Sequence, residues 1–174
     1  AANLVTTSST FYLSGNCTLN TNSKLFNTID VGSAFTVTIN SLLSATTLNV
    51  RNGTLTLQGT AGFTVANLVL VEALTVNRTY TLKSGLTYTV NSSSTLVGGS
   101  SGNLLFKSSV ATSPAYFNLA YGATQNVTFT NATDIDSSGG QTIRTTPGMT
   151  LTRTINWDYK ASSNFFFFFQ VFVQ

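Results

Sequence analysis

TLNVRNGTLTLQGTAGFTV, residues 47–65, holds three short alternating runs and two turns. Leu48 and Val50 alternate with Thr47 and Asn49. Leu55 and Leu57 alternate with Thr54 and Thr56, and Phe63 and Val65 flank Thr64. Side chains on a strand point to opposite faces in turn, so this period of two predicts strands with one apolar face. Thr, Val and Phe favour such half-buried pleated surfaces. RNG at 51–53 and QGTAG at 58–62 supply the turn residues between the runs.

The same pattern extends in both directions. FTVTI spans 35–39, LVLV 68–71, LTV 74–76, TYTL 79–82, LTYTV 86–90, NLLF 103–106, NVTFT 126–130 and MTLTRTI 149–155. NSSS at 91–94, GGSSGN at 98–103 and DSSGG at 136–140 read as turns. No stretch has a helical period, and Pro114 and Pro147 both lie in turn-like contexts. FTV at 35–37 returns at 63–65, and TTLNV at 46–50 is echoed by ALTVN at 73–77 and LTYTVN at 86–91. The implied unit is roughly 20–30 residues, as in a solenoid rung.

Two all-β architectures fit: a single-domain β-solenoid (parallel β-helix) and a β-sandwich. A sandwich needs longer strands joined by regular hairpins. These strands are short, and no hairpin dipeptide dominates their turns. Stacked coils bring Thr against Thr and Asn against Asn. They also suit a chain with only 7% charged residues, because like charges in a stack repel. The solenoid is the favoured expectation.

Composition narrows the functional classes. The chain has 174 residues and a net charge of +3. Its basic residues are scattered without a run or stripe, so a nucleic-acid partner has no support. No apolar run reaches the ~18 residues that suggest a membrane-spanning helix. Cys17 is the only cysteine, so no intrachain disulfide forms. The start Ala1-Ala2-Asn3 fits a mature exported product.

The absence of histidine removes the commonest general base and metal ligand. The acids are Asp30, Glu72, Asp134, Asp136 and Asp158, of which only Asp134 and Asp136 are close. They offer a weak carboxylate pair for glycan chemistry or a turn in which Asp accepts backbone hydrogen bonds. DIDSSG at 134–139 imitates half a calcium loop, but Thr145 stands where the bidentate Glu belongs. No enzyme activity, cofactor or metal is expected. N-x-S/T sequons begin at Asn16, Asn52, Asn77, Asn91, Asn126 and Asn131; chance supplies many in so Asn- and Thr-rich a chain, and glycosylation would fit a surface protein. Thr-x-Thr patterns raise an ice-binding face, but the sequence alone gives them no common register.

Phrases such as TLNVRNGTLTLQGTAGFTV and STLVGGSSGNLLFKSS, with NVTFTNATDIDSSGGQTI and TINW at 154–157, resemble repeat units of exported bacterial β-solenoid surface proteins of the filamentous haemagglutinin and autotransporter-passenger type. The resemblance spans most of 35–157. It implies a right-handed parallel β-helix, export, and a structural or adhesive role, with no catalytic motif to carry over.

The C-terminal FFFFFQVFVQ departs from that family. Residues 1–164 read as the solenoid domain and 165–174 as a hydrophobic contact strand. Phe165, Phe167, Phe169, Val171 and Val173 share one strand face; Phe166, Phe168 and Phe172 share the other with Gln170 and Gln174. Burying a Phe is worth about 1.5–3 kcal/mol, so the six in this tail represent roughly 9–18 kcal/mol before ordering entropy. The segment therefore needs cover. It is too short to cross a membrane as a helix, and a lone strand cannot close a barrel. It either caps its own chain or adds to the edge of another copy. The opening AANLVTTSSTFYL and the close both lack a charged cap, which favours head-to-tail assembly.

The leading expectation is a secreted structural subunit of a self-assembling extracellular filament or cell-surface fibre. Strand complementation by Phe165, Phe166, Phe167, Phe168, Phe169, Val171, Phe172 and Val173 would join the copies. The alternative is a monomeric adhesin or carbohydrate-binding β-helix whose glycan contacts include Tyr80, Tyr88, Tyr116, Tyr121 and Trp157.

Overall fold

The computed structural model describes residues 6–21, 24–31, 35–39, 41–51, 55–71, 77–99 and 101–161. These contain no helix. Their strands are β1 (Thr6–Leu13), β2 (Cys17–Leu19), β3 (Leu25–Val31), β4 (Phe35–Ile39), β5 (Leu43–Arg51), β6 (Leu55–Gly59), β7 (Phe63–Val71), β8 (Arg78–Leu82) and β9 (Thr87–Val97). They continue with β10 (Leu104–Ser108), β11 (Ala115–Leu119), β12 (Thr124–Thr128), β13 (Thr130–Thr133), β14 (Ile135–Asp136), β15 (Ile143–Thr145), β16 (Leu151–Thr152) and β17 (Trp157–Tyr159).

From β1 to β11, successive strands fall in alternate sheets. One sheet has the order β1-β3-β5-β7-β9-β11-β14, with β12 also paired to β9. The other has the order β16-β13-β10-β8-β6-β4-β2, and β15 pairs β17 separately. Neighbouring strands run parallel throughout, as in β5–β7 and β8–β10. Parallel neighbours cannot be joined by a tight hairpin. Here the return path is a strand of the opposite sheet. This pairing excludes the hairpin-built sandwich for the described residues.

The core lies between the sheets in columns. Leu13, Val31, Val50, Leu70, Leu96 and Val127 are partners in series across β1, β3, β5, β7, β9 and β12. All six are buried. Leu43, Phe63, Tyr88 and Phe117 form a second buried column. Phe63 and Tyr88 meet edge to face at 5.0 Å. Phe106 of the facing sheet meets Phe117 at 5.0 Å and 78°. These T-shaped contacts suit the ring quadrupoles and tie neighbouring strands and facing sheets together.

Close stacking leaves some positions no room for a side chain. A Cβ on Gly62 would collide with the Thr87 carbonyl, and one on Gly140 with that of Leu119.

Several expectations shift. NSSS at 91–94 lies within β9 rather than in a turn. Ser93 and Ser94 pair with Asn67 and Leu68, and the Ser93 hydroxyl donates to Asn67 Oδ1 at 2.7 Å. Pairing with a preformed neighbour overrides the local turn preference of Ser. The runs 63–65 and 68–71 merge into β7, with a register irregularity between Val65 and Asn67. NVTFT divides at Phe129, whose φ is 48°, and MTLTRTI is cut short by Arg153 at φ 49°. LTV at 74–76 lies outside the described residues. The two FTV motifs are not equivalent, since Phe35 and Phe63 belong to different sheets.

Candidate functional site

The proposed contact residues Phe165, Phe166, Phe167, Phe168, Phe169, Val171, Phe172 and Val173 lie outside the described residues, as does Glu72. The described chain offers three other places where chemistry gathers: the β1 edge, the opposite end, and the outward sheet faces.

At the β1 edge, β1 pairs only with β3 among the described residues. Phe11 stands in an inward column with Ile29, Leu48 and Leu68. Those three are 0–3% exposed, whereas Phe11 is 37% exposed and rests on Phe26 at 5.9 Å. Tyr12, in the adjoining outward column, is 72% exposed. A core column thus runs out into an accessible edge whose main-chain groups face no further described strand. Sequence reading noted the lack of a charged cap but did not single out these two residues. FYL at 11–13 carries the signal.

The opposite end is finished differently. Asp134 has φ 55° and is nearly buried. Arg153 reaches it through Nε to Oδ1 and through Nη2 to Oδ2 at 2.7 Å. This bidentate hydrogen bonding is the main reason the Asp134 carboxyl lies below its usual range. Burial opposes the shift, and the Thr112 amide assists it. Asp136 instead accepts from the Ser138 amide at 2.8 Å. The two aspartates therefore have separate partners, and the turn reading describes Asp136. Asn156, at φ 60°, donates to the carbonyls of Ser137 and Gly140 and accepts from Thr142. Trp157 donates to Ser137 Oγ at 2.9 Å and lies against Phe106. A polar network thus ties residues 134–157 together, whereas the close of the chain at 165–174 lies outside the described residues. Arg153 and Asn156 escaped the sequence reading because their partners lie 14–19 residues away.

The aromatic residues separate into two groups. Tyr80 and Tyr88 are buried and form no glycan platform. Tyr121 is 80% exposed, Tyr116 is partly exposed, and Trp157 is half-buried. Burial pushes the Tyr88 hydroxyl up to about 12, although the hydrogen bond from the Lys83 amide partly opposes that shift. Cys17 is a free, half-buried thiol whose pKa desolvation raises. No group of three or more His, Cys, Asp or Glu residues suited to a metal occurs among the described residues.

The outward faces carry aligned hydroxyl and amide side chains. On the β1-containing sheet, Thr10, Thr28, Thr47, Asn67, Ser93 and Thr124 stand in one register column. Asn67 bridges Thr47 and Ser93 within it. On the other sheet, the column is Thr56, Thr81, Lys107, Thr133 and Thr152, and backbone pairing continues its register to Thr36. The common register that the sequence reading did not find is present in the strand pairing.

The fold and these sites define an all-β protein of stacked parallel strands, with an edge at β1 that no further described strand pairs and hydroxyl-lined faces. No protein-family model, curated protein or solved structure matches the chain.

Proposed function

We propose that the two parallel sheets are walls of one β-solenoid, and that the chain is a structural subunit of a self-assembling extracellular filament. Subunits join when a strand of one copy adds to the β1 edge of the next. The observation that carries this reading is the 37% exposure of Phe11 in a column otherwise buried to 0–3%. A strand laid against β1 gains main-chain hydrogen bonds and covers Phe11 and Tyr12 together. The segment Phe165–Val173 is the proposed donor because its apolar side chains need cover on both faces. Such a contact is heterologous, and it propagates as a fibre unless its geometry closes into a ring. The sparse charge and Thr/Asn/Ser-rich surface support an extracellular setting in which stacking meets little repulsion.

The test is electron microscopy and light scattering on purified 1–174 beside a 1–164 truncation. Rods from the full chain and dispersed particles from the truncation are expected. Rods of unchanged length from 1–164 would rule out the terminal strand as donor. Single particles from 1–174 at every concentration would end the filament reading. Phe11→Lys, which places a charge at the open edge, should reproduce the truncation.

A further inference from the structure

The two outward hydroxyl columns differ in one respect. In the β1-containing sheet, Asn67 links Thr47 and Ser93, and Thr124 donates to the Ser92 carbonyl. In the other sheet, the hydroxyls of Thr56, Thr81, Thr133 and Thr152 have no partner among the described residues. All four side chains are half-exposed. Backbone pairing extends the column to Thr36 of β4. Thr79, Leu105 and Asn131 form a neighbouring column two residues along each strand.

Parallel pairing sets the spacing of this array. Adjacent strands lie about 4.8 Å apart, and alternate residues on a strand about 6.6 Å apart. The β-branched Thr side chain is stiff at χ1, so each hydroxyl and methyl has few positions to choose from. Binding to such a surface loses little side-chain entropy. The column has no acid; its only charge is the exposed Lys107. An unpaired, evenly spaced array of hydroxyls and methyls, almost without charge, complements a neutral lattice of oxygen atoms with a similar repeat. A soluble ligand of irregular shape would use only one or two of its members.

We infer that the outward face of β6, β8, β10, β13 and β16 is a binding surface for the ordered water lattice of an ice crystal. The Thr56–Thr81–Thr133–Thr152 column is its contact line, and Lys107 is its defect. This inference does not rest on filament assembly. Its substitutions lie on a sheet face and leave the β1 edge and the 165–174 segment unchanged.

The experiment measures ice recrystallisation inhibition and thermal hysteresis with the full chain. Thr81→Tyr puts a bulky ring on the array, and Lys107→Thr completes the column. Thr64→Tyr is the control on the other sheet, where Thr64 pairs Ser44 and Thr89. The unsubstituted chain should restrain crystal growth. Thr81→Tyr should lose most of that effect, Thr64→Tyr should keep it, and Lys107→Thr should raise it at least twofold. Melting curves establish that each variant is folded. If Thr81→Tyr does not fold, the direction of the Lys107→Thr change decides. An inactive unsubstituted chain, a folded Thr81→Tyr with full activity, or a Lys107→Thr that fails to gain activity overturns the inference. Salt-sensitive retention on immobilised polygalacturonate that Lys107→Thr abolishes, without any effect on ice, would assign the face to an acidic polysaccharide instead.

Discussion

Arg153 holds Asp134 in a two-point grip across 19 residues of sequence, with Nη2 2.7 Å from Oδ2. Both residues have positive φ, at 49° and 55°, so the grip joins two backbone positions that side-chain-bearing residues seldom adopt. Asp134 directly follows β13 and Arg153 directly follows β16, so the grip ties the two strand ends together.

The pH dependence follows from the depressed Asp134 pKa. Above the unfolded value, near 3.9, the ionised carboxylate favours the folded state. That contribution is lost as pH falls through the folded value. The melting temperature should therefore drop below about pH 4, and Asp134→Asn should flatten that part of the curve while lowering stability at neutral pH. An identical acid limb in Asp134→Asn, measured by thermal melts from pH 7 to 2, would show that other groups control it.

Two buried tyrosines should respond differently to loss of the hydroxyl. Tyr88 accepts a hydrogen bond from the Lys83 amide at 2.9 Å, so Tyr88→Phe should cost about 1 kcal/mol. The Tyr80 hydroxyl is buried without a partner. Tyr80→Phe should be neutral or raise stability by up to about 1 kcal/mol, because an unsatisfied polar atom leaves the core. Ser94, whose hydroxyl is likewise unpaired, should tolerate Ala in the same way. Denaturant midpoints of the three variants check the ordering.

At alkaline pH, Tyr88 acts in the opposite direction from Asp134. Its folded pKa of about 12 lies above the unfolded value near 10. Its contribution is complete below pH ~10 and disappears as pH rises towards 12. Ultraviolet titration should reveal a late-ionising tyrosine component, and that component should shrink in Tyr88→Phe.

Phe117 joins the two sheets through its contact with Phe106 and is fully buried. Phe117→Ala should cost about 3–5 kcal/mol. Exposed Tyr121→Ala should stay within about 0.5 kcal/mol. Equal losses in chemical denaturation would contradict the column description of the core.

Much of the strand inventory was readable because period two is a local property. FTVTI at 35–39 coincides with β4, and NLLF and TYTL lie at the heart of β10 and β8. AYFNL of β11 and TTSSTFYL of β1 carry weaker patterns and were not anticipated. The Asp134–Asp136 pair was legible as residues, but its separation into a clamp and a turn was not. Arg153 and Ser138 decide it, and Arg153 is distant in sequence.

By itself, the sequence determined that the described chain would be built of strands with one apolar face and Thr, Asn and Ser mostly on the other, because alternation is written in each residue's neighbours. It also set the near-absence of charge that lets like residues stack. Only the tertiary structure decided which strand meets which. Thr56 faces Thr81, and Ser93 enters a strand beside Asn67, partners that lie 25 and 26 residues apart in the chain. No local propensity specifies a register between segments that distant; packing of the shared core columns does.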